Sequence, residues 1–150
     1  MKKTISAIAI SLALGLSAAR ANEGTPVNAW ISSSFQKDFS NAKNVSWQNK
    51  GSYSIANFTW NNQVLFAYYL ENGHLNTVVR NMLSENLPIV LLADIKNNYA
   101  GYWITDLYES VTNGHTSYTL TLENADQRLQ LKSNAAGEWN VMKTINKNIL

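Results

Sequence analysis

From Thr25 to Leu70 the apolar positions change period once. Ile31, Phe35, Phe39 and Ala42 recur at helical spacing, while Ser32, Ser33, Gln36 and Lys37 lie away from them. That stripe predicts an amphipathic helix from about Pro26 to Ala42 whose apolar side lies on a sheet. Thr25 reads as its N-cap and Pro26 as its first helical position, where a missing N–H is not needed. The period then falls to two. Val45-Ser46-Trp47 is a short strand signal, and Tyr53 to Trp60 is rich in aromatic and β-branched residues. Asn61-Asn62 can adopt the positive φ of a tight hairpin turn, and Gln63 to Leu70 returns from it. Asn72-Gly73 is a second hairpin signal, followed by a fourth strand from His74 to Met82.

The same order recurs. Leu87, Leu91, Ile95 and Tyr99 mark one buried helical face, with Pro88 in the first turn and Gly101 expected as the C-cap. Four strands are expected after it, at Tyr102 to Thr112, Thr116 to Glu123, Arg128 to Ser133 and Glu138 to Thr144. Their turns fall at Asn113-Gly114, Asn124 to Asp126 and Asn134 to Gly137. The two units, about 25–83 and 84–146, are offset by about 60 residues, which suggests duplication rather than a solenoid. Asn62 matches Asn124 and Gly73 matches Gly137. The Asn-Gly-His repeated at 72–74 and 113–115 falls on non-equivalent turns and is coincidental turn chemistry.

Alternation assigns faces in the second unit. Tyr118, Leu120 and Leu122 alternate with Ser117, Thr119, Thr121 and Glu123. Leu129 and Leu131 alternate with Arg128, Gln130 and Lys132, and Trp139 and Val141 with Glu138 and Asn140. One face is apolar and one polar. The expected fold class is therefore α+β. Tandem helix-plus-four-stranded antiparallel units place their helices on one sheet face and leave the other open. The first unit is less regular. Phe58, Trp60, Phe66, Tyr68 and Tyr69 do not all fit one face, so some of its aromatics are expected at the surface.

The first 21 residues change the reading of charge. Lys2 and Lys3, an apolar run from Ile5 to Leu16 and Ala19-Arg20-Ala21 form the pattern of a cleaved secretory signal peptide. The run is too short for a spanning helix, which needs about 20 apolar residues. Lys2, Lys3 and Arg20 would leave with it, taking Lys plus Arg from 12 to 9 against 10 acids and the net charge from +2 to −1. The sequence pI of about 8.8 therefore overstates the mature chain's basicity. Without a basic block, nucleic acid is not an expected partner. Residues 22–150 are expected as one domain, periplasmic or secreted, with no membrane insertion after cleavage. With zero cysteines, disulfides and a lipid-modified N-terminal cysteine are both impossible, so packing must supply the stability.

Candidate chemistry is sparse. The chain has no nucleophile elbow, no H-E-x-x-H, no P-loop and no dinucleotide-binding glycine pattern. His74 and His115 both follow Asn-Gly in turns and read as solvated polar residues rather than a metal pair. Asp106 and Glu109 are three apart on one strand and so point to opposite faces. No catalytic, cofactor-binding or metal-binding residue is assigned, and no cofactor is expected. Trp47, Trp60, Tyr68, Tyr69, Trp103 and Trp139 could form a recognition patch, although core packing accounts for most of them. Trp103 is the best candidate for exposure, expected to share a face with Thr105 and Glu109.

One resemblance is carried by these residues. Ala42, Val45 and Trp47 resemble the A-x-x-V-x-W signature after the first helix of PepSY-like proteins. Tyr53, Ala56 and Phe58 match the next strand. Leu87-Pro88, Ile95, Tyr99 and Ile104 resemble the family's helix-to-strand segment, and Tyr118 fits the strand after it. The likeness runs from about Phe35 to Trp139 and rests on packing residues. It implies a secreted or periplasmic, β-lactamase-inhibitor-like protein built of helix-plus-four-strand repeats, with no catalytic motif to transfer. The expected function is non-enzymatic binding or inhibition of an envelope protein or peptide through the open sheet face. The alternative is a small-ligand carrier with an aromatic pocket between helices and sheet.

Overall fold

A computed structural model describes residues 25–135 and 137–147. The expected signal peptide lies outside the described residues. Helix α1 spans Ala29–Asp38. It is followed by β1 Lys43–Lys50, β2 Tyr53–Trp60, β3 Gln63–Leu70 and β4 Leu75–Asn81. A short 3-10 turn, Ser84–Asn86, leads into α2 Ile89–Asn98. Then come β5 Trp103–Thr112, β6 His115–Glu123, β7 Gln127–Ser133 and β8 Trp139–Asn146. The fold is α+β. All eight strands form one open antiparallel sheet in sequence order, β1 to β8.

The turns follow residue chemistry. Trp60 pairs with Gln63 across Asn61 and Asn62, which hold φ of 49° and 63°. Thr112 pairs with His115 across Asn113 and Gly114, at 50° and 77°. Two consecutive positive φ values match the right-handed twist of the flanking strands, and Asn and Gly bear that conformation at least cost.

The helix boundaries correct the sequence reading. Residues 25–28 are not helical, and Asn28, not Thr25, caps α1 by accepting a hydrogen bond from Trp30 N–H at 3.0 Å. Val27 packs against the core under α1, which holds the approach to the helix extended. Gly101 does not cap α2. The cap is Tyr99, at φ −130°, whose N–H bonds to the Ile95 carbonyl. Strand β1 is longer than Val45-Ser46-Trp47 because pairing with β2 recruits its polar ends.

Strand pairing carries one face across the whole sheet. Ala56 and Phe58 of β2 pack under Ile31, Phe35 and Phe39 of α1. Across the ladder they stand beside Ala67 and Leu65, then Val78 and Arg80, then Val111 and Glu109. Leu107, two residues from Glu109 on β5, packs with Leu120, Leu122, Leu129 and Leu131 under Leu91 and Ile95 of α2. Both helices therefore cover the same side. A polar seam separates their two cores. Arg80 pairs with Glu109 there, and an Arg80 amino group donates to Gln63 Oε1 at 3.4 Å.

The α1 core is built of rings. Phe35 meets Phe58 edge-on at 4.9 Å and Trp47 at 5.3 Å, and Phe39 meets Phe58 at 4.7 Å. Tyr69 completes it, donating its hydroxyl to Asp38 Oδ2 at 2.9 Å. Burial and that bond to Asp38 push the tyrosine's pKa far above its ordinary value, so it remains a donor.

Candidate functional site

Among the described residues, no helix covers the second face of the sheet. Its residues follow from the same register. They include Tyr53 and Ile55 of β2, Val64, Phe66 and Tyr68 of β3, Thr77 and Val79 of β4, and Tyr108 and Ser110 of β5. Here Ile55, Tyr68 and Val79 form a third buried cluster, flanked by the half-buried Tyr53, Phe66 and Tyr108. Ile55 and Val79 are each only 2% exposed. Beside them Tyr53 meets Tyr68 edge-on at 6.0 Å.

Polar groups in this region are matched. The Thr77 and Thr112 hydroxyls lie 2.8 Å apart, and Asn76 Nδ2 donates to Thr77 Oγ1 at 2.9 Å. Burial, followed by the neighbouring Tyr108, raises the Tyr68 pKa. Burial and then Asp106 raise that of Tyr108, opposed by a hydrogen bond with Asn81. Both phenols are thus neutral hydrogen-bond donors at physiological pH.

The far end of the face is ionic. Glu123 receives Arg128 Nε at Oε1 and Lys147 Nζ, at 2.8 Å, at Oε2. The Lys147 Nζ also donates to the Asn124 carbonyl at 2.8 Å and lies 5.4 Å from the Trp103 ring centroid. The hydrogen bond from Lys147, opposed by burial and helped by Arg128, lowers the Glu123 pKa.

Trp103 is 53% exposed, as anticipated, but its placement differs from the sequence reading. A bulge at Thr105 resets the alternation between Ile104 and Asp106. Trp103 therefore stands opposite Glu123 on the open face, and Glu109 stands on the helix side. Asp106, opposite Thr121, is on the open face, so Asp106 and Glu109 do lie on opposite sides. Of the other suggested patch residues, Trp47 and Trp60 pack under α1, Tyr69 and Trp139 are buried in the helix-side cores, and Tyr68 belongs to the open face. Tyr53 and Tyr108 are not among the residues that the sequence suggests for a patch, and Phe66 is signalled only as one of the aromatics that do not fit one face. The available signal was β3 itself, where Leu65, Ala67 and Tyr69 alternate with Val64, Phe66 and Tyr68, apolar on both sides.

The rings expected to line a ligand pocket between helix and sheet instead pack against one another. A shallow groove of about 550 Å³ lies elsewhere, between the start of α1 and two turns, lined by Pro26, Asn28, Asn49, Ser54 and Glu71 among others. His74 and His115 sit at the Asn72-Gly73 and Asn113-Gly114 turns. Among the described residues there is no group of three His, Cys, Asp or Glu side chains able to hold a metal ion, and no helix is long and apolar enough to cross a membrane.

No protein-family model matches the sequence, and no curated protein matches it either. Solved structures do match in shape. A DUF2874 family protein from Bacteroides ovatus aligns with a TM-score of 0.71 at 18% identity, over 82% of this chain and 89% of its own. A BLIP-like protein from Bacteroides fragilis aligns at 0.67 and 17%, over 85% and 92%. A Bacteroides eggerthii protein proposed to be periplasmic aligns at 0.72 and 10%, over 81% and 90%. The chain shares the fold of these BLIP-like and DUF2874 proteins across nearly the full length of each.

Proposed function

We propose that this chain is a non-enzymatic binding module of the bacterial envelope or exterior, engaging a protein partner through the uncovered face of its sheet. One observation carries the reading. Among the described residues, the two helices occupy one side of an eight-stranded sheet, and the other side presents the half-buried Tyr53, Phe66 and Tyr108 around a buried centre with no helix over it. Aromatic side chains with polar tips are the usual anchors of protein interfaces. The BLIP-like name of one structural neighbour is consistent with a protein target, and the proposed location of another agrees with the signal-like start of this chain. A PepSY-like affiliation, resting on Ala42, Val45, Trp47 and Leu87-Pro88, and a duplicated helix-plus-four-strand unit fit the same reading. Ile31 and Leu91, Phe35 and Ile95, and Gly73 and Gly137 are the corresponding positions that support duplication.

The test is a paired substitution. Phe66→Ala with Tyr108→Ala alters the open face; Trp30→Ala with Ile89→Ala alters the exposed helix side. Both variants are checked for folding by circular dichroism. Each is then used to capture partners from the native periplasm or culture medium. Loss of one discrete partner with the first pair alone is expected. Loss only with the second pair would refute the reading.

A further inference from the structure

The charges of this chain are sorted by face. Register places Lys43 opposite Thr59, Lys50 opposite Tyr53, Lys132 opposite Thr119 and Lys143 opposite Gln130, all on the uncovered side. Arg128 stands there opposite Glu123, and Lys147 lies beside Trp103. The acids on that side are Asp106 and Glu123 on the strands and, at the ends of the β6–β7 and β7–β8 hairpins, Asp126 opposite Lys147 and Glu138 opposite Asn134. Among the described residues this leaves six basic and four acidic side chains on the open face, against three basic and five acidic elsewhere. A chain close to neutral overall therefore carries its net positive charge on that face.

The excess is not used within the fold. Arg128 and Lys147 neutralise Glu123, but Lys43, Lys50, Lys132 and Lys143 are exposed and form no ion pair among the described residues. Lys132, opposite Asn140, and Lys143, opposite Gln130, share that face on either side of the β7–β8 bulge. The basic groups flank the tyrosine centre on both sides. Six strand spacings separate β1 from β7, roughly 30 Å. That span is close to the edge of a standard protein interface of about 800 Å² per partner.

We infer that the open face recognises an acidic protein surface, one that sets an apolar or aromatic projection over Tyr53, Phe66 and Tyr108 and carboxylates against Lys132 and Lys143 on one flank and Lys43 and Lys50 on the other. This inference rests on the binding-face reading above. It adds the partner's sign, which the net charge of −1 anticipated for residues 22–150 conceals. Opposed potentials speed encounter and reject partners of the wrong sign.

The test uses three synthetic peptides of about twelve residues, long enough to cross the sheet. Each has a central Phe, flanked by Glu, by Gln or by Lys. Titration into isotope-labelled protein is followed by amide shifts. The Glu peptide is expected to perturb β7, β8 and the amides around Tyr108, and to weaken as salt rises to about 0.15 M. The Lys peptide is expected to leave them unmoved. Lys132→Glu with Lys143→Glu should weaken the Glu peptide about tenfold while leaving the thermal midpoint unchanged or higher, a combination that a purely structural role would not give. Equal binding of the Glu and Gln peptides on this face would overturn the acidic partner and leave the binding face standing. Perturbation confined to α1 and α2 would remove both. No binding by any peptide, or equal capture by anionic vesicles or single-stranded DNA, would overturn the inference of an acidic protein partner.

Discussion

The indole of Trp139, on the last strand, donates from Nε1 to the main-chain carbonyl of Leu91, on the second helix, at 3.0 Å. The Trp139 N–H also reaches Asp94 Oδ2, one turn further along α2, at 3.3 Å. Two bonds from one residue thus fasten α2 over β8, and the ring beneath them is 7% exposed. Trp139→Phe keeps most of the buried area and loses the indole donor. A cost of about 1–2 kcal/mol is expected from the lost bond and the smaller ring, measured as a lowered urea midpoint with unchanged slope. An unshifted midpoint would show that α2 is held by its leucines alone.

Phe35 has the opposite role, with no polar bond and four ring neighbours: Phe39, Trp47, Phe58 and Tyr69. Phe35→Ala would empty the middle of the α1 core. A loss of about 3–5 kcal/mol is expected, a large part of the 5–15 kcal/mol typical of whole domains. Calorimetry should show a much lower midpoint. Phe35→Leu should recover most of it.

Gly73 and Gly51 both hold positive φ, at +80° and +58°, but only Gly73 is crowded. A Cβ on Gly73 would lie 3.2 Å from Ser34 Oγ and 3.7 Å from the Trp30 carbonyl, whereas a Cβ on Gly51 meets nothing within 4 Å. Gly51→Ala should cost about 1 kcal/mol through the backbone alone. Gly73→Ala should cost measurably more, because the β3–β4 turn packs on α1. Equal costs in chemical denaturation would contradict that contact.

The Glu123 carboxyl has a folded pKa below its ordinary value, set first by the Lys147 hydrogen bond. Its contribution to stability is therefore present above the unfolded value of about 4.3 and is lost as pH falls through the folded value. Glu123→Gln should be less stable than the parent at pH 7. That gap should narrow in acid, below about pH 4. A gap of constant size would mean that the pairing with Lys147 and Arg128 is not electrostatic in origin.

The legible parts of the sequence were those where one residue type meets one physical demand. Asn61-Asn62 and Asn113-Gly114 supplied positive φ at hairpin tips, and both hairpins form there. Ile31, Phe35 and Phe39, and Leu87, Leu91 and Ile95, kept helical spacing and are buried. Less legible were features decided between strands. The polar residues of β1 gave no strand signal, because pairing with β2 rather than propensity makes them a strand. Bulges beside Thr105 and in β8 leave no mark in composition, yet one of them moves Trp103 to the other face from Glu109. The candidate face was half visible. Alternation showed it to be polar in β6 and β7, whereas its aromatic centre spans β2 to β5 and becomes one patch only through register.

The central claim is that partners meet the side of the sheet that the helices leave bare. Site-specific photocrosslinking tests it most directly. A photoreactive residue is placed at Tyr108 on the open face and, separately, at Val90 on the exposed side of α2. Each protein is irradiated in its native periplasm or culture medium. The account predicts one discrete protein adduct from position 108 and none from position 90. An adduct from position 90 alone would contradict it.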